Sequence, residues 1–246
     1  MLDYDKEAEG YDAWRGGEPR AAEAADAVRG LIPRQTRALL DLACGTGIVT
    51  RRLATAREGM RVTGVDRSVA MARQAAARLP GTIVLADARR LPFRDGEFDA
   101  VTSVWLLHLP PTDDDVRAIV AECARVLRPG GVFVTTVDKA ASHNVGSDID
   151  AVMAARPRRP ARDTPHLVES YAAECGLRAA GQARFRGRGQ GRSPRRTIAD
   201  LRRGWFVTVP PGSPLAEEFI GRLAALPDQE RDRPDPVFTL RAFRKD

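Results

Sequence analysis

The sequence has little cysteine and no long apolar run. Its three cysteines, Cys44, Cys123 and Cys175, form no Cys-x-x-Cys pair and have no histidine at metal-ligand spacing. A disulfide framework and a metal site are therefore not indicated, and a reducing compartment fits. Because no stretch of about eighteen consecutive apolar residues is present, the sequence also excludes a membrane-spanning helix.

The first thirty residues lack the apolar core of a signal peptide. Charged side chains occur throughout this segment, among them Asp3, Asp5, Lys6 and Glu9. We therefore expect a cytoplasmic location and no contact with a membrane.

Lysine is also scarce, and the basic balance of the chain comes from arginine. Three lysines contribute to the 39 basic residues, and the formal net charge is +6. A basic chain can bind nucleic acid, but this Ala- and Arg-rich composition is typical of a high-GC coding bias. We therefore do not expect nucleic acid as a partner. The 43% hydrophobic content indicates a globular protein, with enough residues for one large core and an insertion.

The most informative motif is a glycine turn that follows an apolar strand, Asp41-Leu-Ala-Cys-Gly-Thr-Gly47. Gly45 and Gly47 can adopt positive φ and carry no Cβ. A ligand can therefore approach the backbone where the next helix exposes its free N–H groups. Cys44, inside this turn, is interpreted as a small packing residue without a chemical role.

Two acids follow at the ends of the next two predicted strands. Asp66 lies nineteen residues after Gly47, and Asp87 follows a third short strand. A carboxylate at the end of the second strand can accept hydrogen bonds from both hydroxyls of a ribose. Asp87 is placed to meet an adenine amino group. Alternatively, either acid caps the helix that follows it.

A nicotinamide or flavin dinucleotide is the main competing ligand. Its fingerprint requires a third glycine, and Thr50 stands at that position here. Asp41, inside the first strand, would repel a pyrophosphate. A cationic ligand suits that acid better.

Five motifs together resemble those of class I S-adenosylmethionine-dependent methyltransferases, in the family's order and spacing over roughly residues 35–140. These motifs are Asp41–Gly47, Val65-Asp66, Leu85-Ala-Asp87-Ala88, Phe98-Asp-Ala-Val101 and Leu127-Arg-Pro-Gly-Gly131. The resemblance implies S-adenosylmethionine as methyl donor and S-adenosylhomocysteine as product. It assigns Asp41, Ala43, Gly45 and Gly47 to the methionine part, Asp66 to the ribose, and Asp87 with Ala88 to the adenine. Arg67 and Val104 complete the predicted cofactor contacts of the sheet.

The predicted fold is a doubly wound α/β sheet of seven mostly parallel strands with an antiparallel last strand. Periodicity and turn residues predict these elements. The strands are 37–42, 61–65, 82–86, 98–105, 132–137, 179–186 and 237–244. The helices are 48–57, 69–79, 113–127, 166–175, 197–206 and 214–226, with a lid and a scaffold helix, 18–31, before the sheet.

The segment before the sheet resembles the N-terminal lid of small-molecule methyltransferases. We therefore divide the chain into lid helices, 1–34, and a cofactor-binding domain, 35–246. Tyr11 and Arg15 are expected to face the cofactor carboxylate. Tyr4 and Trp14 are assigned to the acceptor pocket. Alternatively, the aromatic residues of this segment pack on the edge of the sheet.

His108 is the candidate general base, because a neutral imidazole can accept a proton near pH 7. Its loop follows the central strand, where nucleobase methyltransferases carry an Asn/Asp-Pro-Pro-aromatic motif or a Pro-Cys nucleophile, and both are absent here. Alternatively, His108 only packs or forms a hydrogen bond. His143 and His166 are second candidates.

An insertion at about 187–236 is expected to cap the acceptor site. Trp205 and Phe206 in this cap, together with Trp105 after the fourth strand, are predicted pocket walls. Alternatively, the two cap residues form the cap's own core. The arginine-rich stretch 184–196 is interpreted as a solvated, mobile loop, with binding of an acidic substrate or RNA as the alternative.

These predictions describe an enzyme that methylates an oxygen or nitrogen of a small organic molecule. The sequence style resembles that of secondary-metabolite enzymes, and we expect a monomer or homodimer. Two alternatives stay open at this point: methylation of tRNA or another RNA, and a protein that binds S-adenosylmethionine without methyl transfer.

Overall fold

A seven-stranded sheet forms the centre of the computed structural model, which describes residues 3–246. Residues 1 and 2, the first two of the predicted lid, lie outside the described residues. The strands are β1 (Ala38–Leu42), β2 (Arg61–Asp66), β3 (Ile83–Leu85), β4 (Phe98–Ser103), β5 (Leu127–Val137), β6 (Leu177–Arg186) and β7 (Val237–Lys245).

The strand order is β3-β2-β1-β4-β5-β7-β6. Strands β1 to β5 pair in parallel, whereas β7 runs antiparallel between β5 and β6. The predicted fold class and the antiparallel last strand are confirmed. Because the chain order reverses between β1 and β4, the carboxyl ends of these two strands form the crevice where open α/β sheets bind ligands.

Among the described residues, six of the eleven α-helices follow a residue whose side chain accepts a backbone N–H. The helices are α1 (Tyr4–Glu7), α2 (Tyr11–Trp14), α3 (Gly17–Leu31), α4 (Ile48–Thr55), α5 (Val69–Arg78), α6 (Asp113–Val126), α7 (Lys139–Ser142), α8 (Asp148–Val152), α9 (Pro165–Glu174), α10 (Pro194–Arg202) and α11 (Pro214–Ala224). Ser68 caps α5 and Thr112 caps α6. Each such cap satisfies one of the four free N–H groups of a helix start.

Both faces of the sheet are covered by apolar side chains. On one face, the buried alanines of α3 and the apolar residues of α4 pack against Leu39, Phe238 and Leu240. On the other face, α6 and α9 pack against Leu40, Leu42 and the neighbouring strands. Strand β1 is consequently buried at all five positions, as a central parallel strand must be.

Some boundaries differ from the sequence-based predictions. Strand β4 ends at Ser103 rather than at residue 105, because Trp105 has φ of 63° and its backbone leaves the extended conformation. Helix α10 begins at Pro194 and ends at Arg202, because Ser193 caps it and proline favours the first helical position. Strand β5 begins earlier, at Leu127, with a register shift before Val132.

The predicted lid and cap both have defined contacts. Asp5 accepts hydrogen bonds from Ser68 Oγ and Ala70 N, which fastens the lid to the start of α5. In the cap, apolar residues of α8 join those of α10 and α11 in a separate cluster that includes Leu201, Phe219 and Leu223. The cap therefore draws on residues 138–164 as well as on the predicted insertion.

Candidate functional site

A cavity of about 350 Å³ lies at the carboxyl edge of the sheet, between the lid and the glycine turn. This volume falls within the range of small-molecule sites. Eleven of the predicted site residues line it: Tyr4, Tyr11, Asp41, Ala43, Gly45, Asp66, Arg67, Asp87, Ala88, Val104 and Trp105. The structure thus brings together residues from four strand ends and the lid.

The glycine turn leaves room for a ligand at one of its glycines and not at the other. Gly45 has φ of 57°, and a Cβ built there would meet no atom within 4 Å. Gly47 has φ of 76° and a Cβ would lie 2.9 Å from Ala75. Gly47 does not line the cavity. Because Gly47 has no Cβ, the start of α4 can pack closely against Ala75 of α5.

Asp66 is held by the turn that it faces. Its two carboxylate oxygens accept hydrogen bonds from Gly45 N, at 2.8 Å, and from Ser68 N, at 2.9 Å. Burial raises the pKa of this carboxyl, against the effect of these N–H donors. Each carboxylate oxygen keeps a further lone pair, so that Asp66 can also accept hydrogen bonds from a ligand.

Asp87 is more exposed than Asp66 and is paired within the protein. Arg89 donates to both of its oxygens, at 3.1 Å to Oδ1 and 2.6 Å to Oδ2, and also donates to Asp115 at 2.6 Å. The hydrogen bonds from Arg89 lower the pKa of Asp87, which stays ionised. Asp87 can therefore accept hydrogen bonds from a ligand in the cavity.

Asp41 is a buried acid near the carboxyl end of β1. The hydroxyls of Thr50 and Thr102 donate to its two oxygens, at 2.6 and 2.8 Å. Burial nevertheless raises its pKa to about 6. A cation placed near this carboxyl would favour its ionised form.

The raised pKa of Asp41 predicts a pH-dependent cost to folding. The pKa of Asp41 is higher in the folded protein than in the unfolded chain, so that ionisation of Asp41 destabilises the folded state. This loss of unfolding free energy is absent below pH ~4, grows as the pH rises through 6, and reaches about 3 kcal/mol at higher pH. Relative to Asp41→Asn, wild-type protein should lose about 1 kcal/mol of unfolding free energy between pH 5 and 7.5. Urea unfolding at both pH values measures this difference. The exposed Asp26→Asn serves as control, and equal pH dependence of all three proteins would contradict the prediction.

Arg20 is a site residue that the sequence analysis missed. It lies in α3, is 6% exposed, lines the cavity, and stacks over Trp105 at 4.1 Å from the ring centroid. Its Nε is buried and has no hydrogen-bond partner among residues 3–246. Arg20 shares the buried face of α3 with Ala21, Ala24 and Val28. A charged residue on that apolar face was the signal in the sequence.

Asp12 joins the lid to the glycine turn and was also missed. It accepts hydrogen bonds from Thr46 Oγ1, at 2.6 Å, and from Arg78, at 2.7 Å. Arg78 in turn donates to the Thr46 carbonyl. These contacts close the lid over the turn and fix the mouth of the cavity.

Six predicted residues lie outside the cavity lining: Arg15, Gly47, His108, Trp14, Trp205 and Phe206. Arg15 stacks on Trp205, 3.7 Å from its ring centroid. Trp14 is 43% exposed and lies beside Arg203. Phe206 is buried in the apolar cluster of the cap, where Trp205 also packs. Trp205 and Phe206 thus belong to the core of the cap, which is the alternative given for them in the sequence analysis.

His108 lies beside the cavity, on a loop whose neighbours Leu106 and Leu109 line it. Burial, reinforced by the charge of Lys139, holds the pKa of His108 well below its usual value. The imidazole is therefore neutral at physiological pH. Its Nδ1 is buried and has no hydrogen-bond partner within the part of the chain that the structure describes.

The arginine-rich stretch differs from the expected solvated loop. Arg188 pairs with Glu23 of α3, and Arg196 donates to the Trp14 carbonyl of the lid. Arg192 is 23% exposed and contacts Asp150 and the His143 carbonyl. The stretch is therefore a packed connection between the lid and the cap.

Comparison with known proteins agrees with this geometry. Residues 40–135 match the model of a methyltransferase domain. Over these residues the chain is similar to the methyltransferase domain family. S-adenosylmethionine is the cofactor of this domain family, and the cavity offers it acids, a buried cation and an unobstructed glycine turn.

Two curated relatives each match less than half of the chain. The ubiquinone/menaquinone biosynthesis C-methyltransferase of Desulfotalea psychrophila is 40% identical over 38% of this chain and 38% of its own length. The 27-O-demethylrifamycin SV methyltransferase of Amycolatopsis mediterranei is 36% identical over 46% of this chain and 43% of its own length. The chain thus matches about two fifths of each relative.

Solved structures extend the likeness in fold to the whole chain. The [4+2]-cyclase SpnF superposes with a TM-score of 0.60, at 20% identity, over 98% of this chain and 93% of its own. At this identity the comparison shows the fold alone. No helix within residues 3–246 combines the length and the apolar character needed to cross a bilayer. In the same range, no three His, Cys, Asp or Glu side chains are grouped to hold a metal ion.

Proposed function

We propose that this protein transfers a methyl group from S-adenosylmethionine to an oxygen or nitrogen of a small organic molecule. The observation that carries the proposal is the cavity itself, which is lined by Asp41 within β1, Asp66 at the end of β2, Asp87 after β3 and the buried Arg20. The names of two relatives specify a quinone and a rifamycin pathway, which supports a small acceptor and a role in secondary metabolism. We further expect a monomer or homodimer in the cytoplasm, with no nucleic-acid partner.

The residues around the cavity are suited to the separate parts of the cofactor. Arg20 and Tyr11 would hold the carboxylate, and Asp41 would face the ammonium group. Ala43 and Gly45 would carry the methionine chain along the turn. Asp66 would accept both ribose hydroxyls, and Asp87 with the backbone of Ala88 would meet the adenine. Arg67 and Val104 lie along the same path in the lining.

When bound, S-adenosylmethionine supplies an electrophilic methyl group on a sulfonium with a neutral leaving group. The protein then needs mainly to align the acceptor and exclude water. The lid supports both tasks, since Asp5 and Asp12 hold it over the turn. His108, neutral and with a free Nδ1, can accept the proton that the acceptor oxygen or nitrogen loses.

A labelled-methyl assay tests the proposal. The protein is incubated with S-[methyl-³H]adenosylmethionine and a panel of phenols, hydroxy acids and amines, with bulk tRNA as a separate arm at physiological salt. We expect label in a small organic product and none in the tRNA. Labelled tRNA would favour the RNA alternative, whereas cofactor binding without label in any arm would favour a binding protein.

The role of His108 gives a separate prediction. His108→Gln should lower kcat by about 10²-fold or more and leave KM nearly unchanged, because a positioned base acts in the transition state. The exposed His166→Gln is the matched control and should keep full activity. If His108→Gln also keeps full kcat, alignment alone accounts for the rate and His108 is a packing residue.

A further inference from the structure

A cluster of cationic side chains lies next to the cofactor cavity and is not used by the cofactor contacts above. It consists of Arg15 from the lid, Lys139 from α7 and Arg192 from the cap, whose charges act on the nearby imidazoles of His108 and His143. This group is called the basic cluster below. Three separate parts of the chain thus bring positive charge to one place.

Contacts between aromatic rings connect this cluster to the cavity wall. The His143 ring lies 5.4 Å from that of Phe238, and Phe238 lies 5.5 Å from Trp105. Trp105 lines the cavity and carries Arg20 on its face. Arg15 and Arg20 both lie within 6 Å of the Tyr11 ring, at 5.9 and 5.8 Å. The basic cluster therefore adjoins the cavity wall at Trp105 and Tyr11.

The two central cations lack an acidic partner. The ammonium group of Lys139 makes no hydrogen bond or ion pair to any residue of the described range 3–246, although its backbone N–H donates to Asp163. Arg15 stacks on Trp205 through its face and likewise makes no ion pair with a carboxylate of that range. The N–H donors at the edge of its guanidinium thus make no hydrogen bond within the described residues.

Nearby acids do not neutralise the cluster. Asp150 pairs with Arg192, and Asp200 pairs with Arg203. Asp163 is buried, and one of its carboxylate oxygens accepts the backbone N–H of Lys139. Its other oxygen has no hydrogen-bond partner within residues 3–246. Buried charges without a partner are costly, so that folded proteins normally pair them or keep them for a ligand.

The titration of Lys139 reflects this excess of positive charge. Burial and the charge of Arg15 lower its pKa to about 7, with Arg20 and Arg192 acting in the same direction and Asp163 against them. The pKa values of His108 and His143 are lowered by burial and by Lys139. A negative charge bound here would raise the pKa of Lys139 again.

We propose that the methyl acceptor carries an anionic group, a carboxylate or a phosphate, which Lys139 and Arg15 bind beside His108. This inference rests on the proposed function, since it describes the acceptor of that reaction. Arg20, which lines the cavity, would bind the carboxylate of the cofactor. Lys139 and Arg15 do not line the cavity, and the cofactor contacts do not use them. The anion would hold the acceptor with its nucleophile towards His108.

The small number of lysines makes a direct test practical. With only Lys6, Lys139 and Lys245 in the chain, lysine labelled with ¹³C at Cε gives three protein signals, and Lys139→Met assigns one of them. The protein is first saturated with S-adenosylhomocysteine, and that binding is verified by calorimetry. The Lys139 signal is then titrated with pH in the presence of benzoate, phenyl phosphate or the neutral analogue benzamide.

We expect the Lys139 midpoint, near pH 7 without anion, to rise by at least one unit with benzoate or phenyl phosphate and to stay unchanged with benzamide. The larger of the two shifts identifies the anion class. Arg15→Gln should weaken anion binding at least tenfold, whereas the exposed Arg222→Gln should not.

Three results would overturn the proposal. They are no shift with either anion, equal shifts with benzamide, or a rise to the ordinary lysine value on addition of S-adenosylhomocysteine alone. The last result would assign Lys139 to the cofactor carboxylate. Failure of S-adenosylhomocysteine to bind at the first step would instead contradict the proposed function.

Discussion

Asp66→Ala is expected to weaken binding of S-adenosylhomocysteine by about 1–3 kcal/mol, roughly 10- to 100-fold. The ribose hydroxyls would lose their buried acceptor, and Gly45 N and Ser68 N would lose theirs as well. Isothermal calorimetry measures the change in Kd. Unchanged affinity would mean that Asp66 only orders the turn and caps the following helix.

Asp99→Ala is the matched control for that experiment. Asp99 is also buried and also accepts two backbone N–H groups, from Arg37 and Ala38. It lies at the opposite end of the sheet from the cavity, at the start of β4. Both variants should therefore lose stability, and only Asp66→Ala should lose affinity for S-adenosylhomocysteine.

Gly47→Ala should have the largest effect on stability among the turn residues. An added Cβ would lie 2.9 Å from Ala75 at a φ of 76°. The left-handed backbone costs about 1–2 kcal/mol and the overlap with α5 about 1–3 kcal/mol more. Urea unfolding should thus show a loss of about 2–5 kcal/mol.

Gly81→Ala separates these two contributions. Gly81 has the same φ of 76°, but its Cβ would meet no atom within 4 Å. It should cost only the backbone part. Gly45→Ala, also without a clash, should remain folded and lose affinity for S-adenosylhomocysteine, because its methyl group would project into the cavity. Equal stability losses for Gly47→Ala and Gly81→Ala would contradict the proposed overlap.

The sheet was predictable because its signals are local and repeated. Apolar runs followed by Gly or Asp mark β1, β2 and β3, and the alternation of residues 237–244 marks the antiparallel strand β7. The predicted ends of some elements were wrong where the conformation of one or two residues decides them. The φ of Trp105 that ends β4, and the Ser193-Pro194 start of α10, depend on one or two residues each.

The candidate site was only partly predictable, for a different reason. Acids that follow strands are found from spacing, and Asp41, Asp66 and Asp87 do line one cavity. Arg20 and Lys139 acquire their environment from segments that are distant in sequence, so that no motif marks them. The arginine-rich stretch shows the same limit, since composition gave no indication of its contacts with Glu23, Trp14 and Asp150.

The central claim is that this cavity binds S-adenosylmethionine as a methyl donor and not a dinucleotide. Calorimetric titration of the purified protein with S-adenosylhomocysteine, and separately with NAD and NADP, tests it most directly. We predict saturable one-to-one binding of S-adenosylhomocysteine, weakened by Asp66→Ala, and no heat of binding with either dinucleotide. Binding of NAD or NADP without binding of S-adenosylhomocysteine would contradict the account.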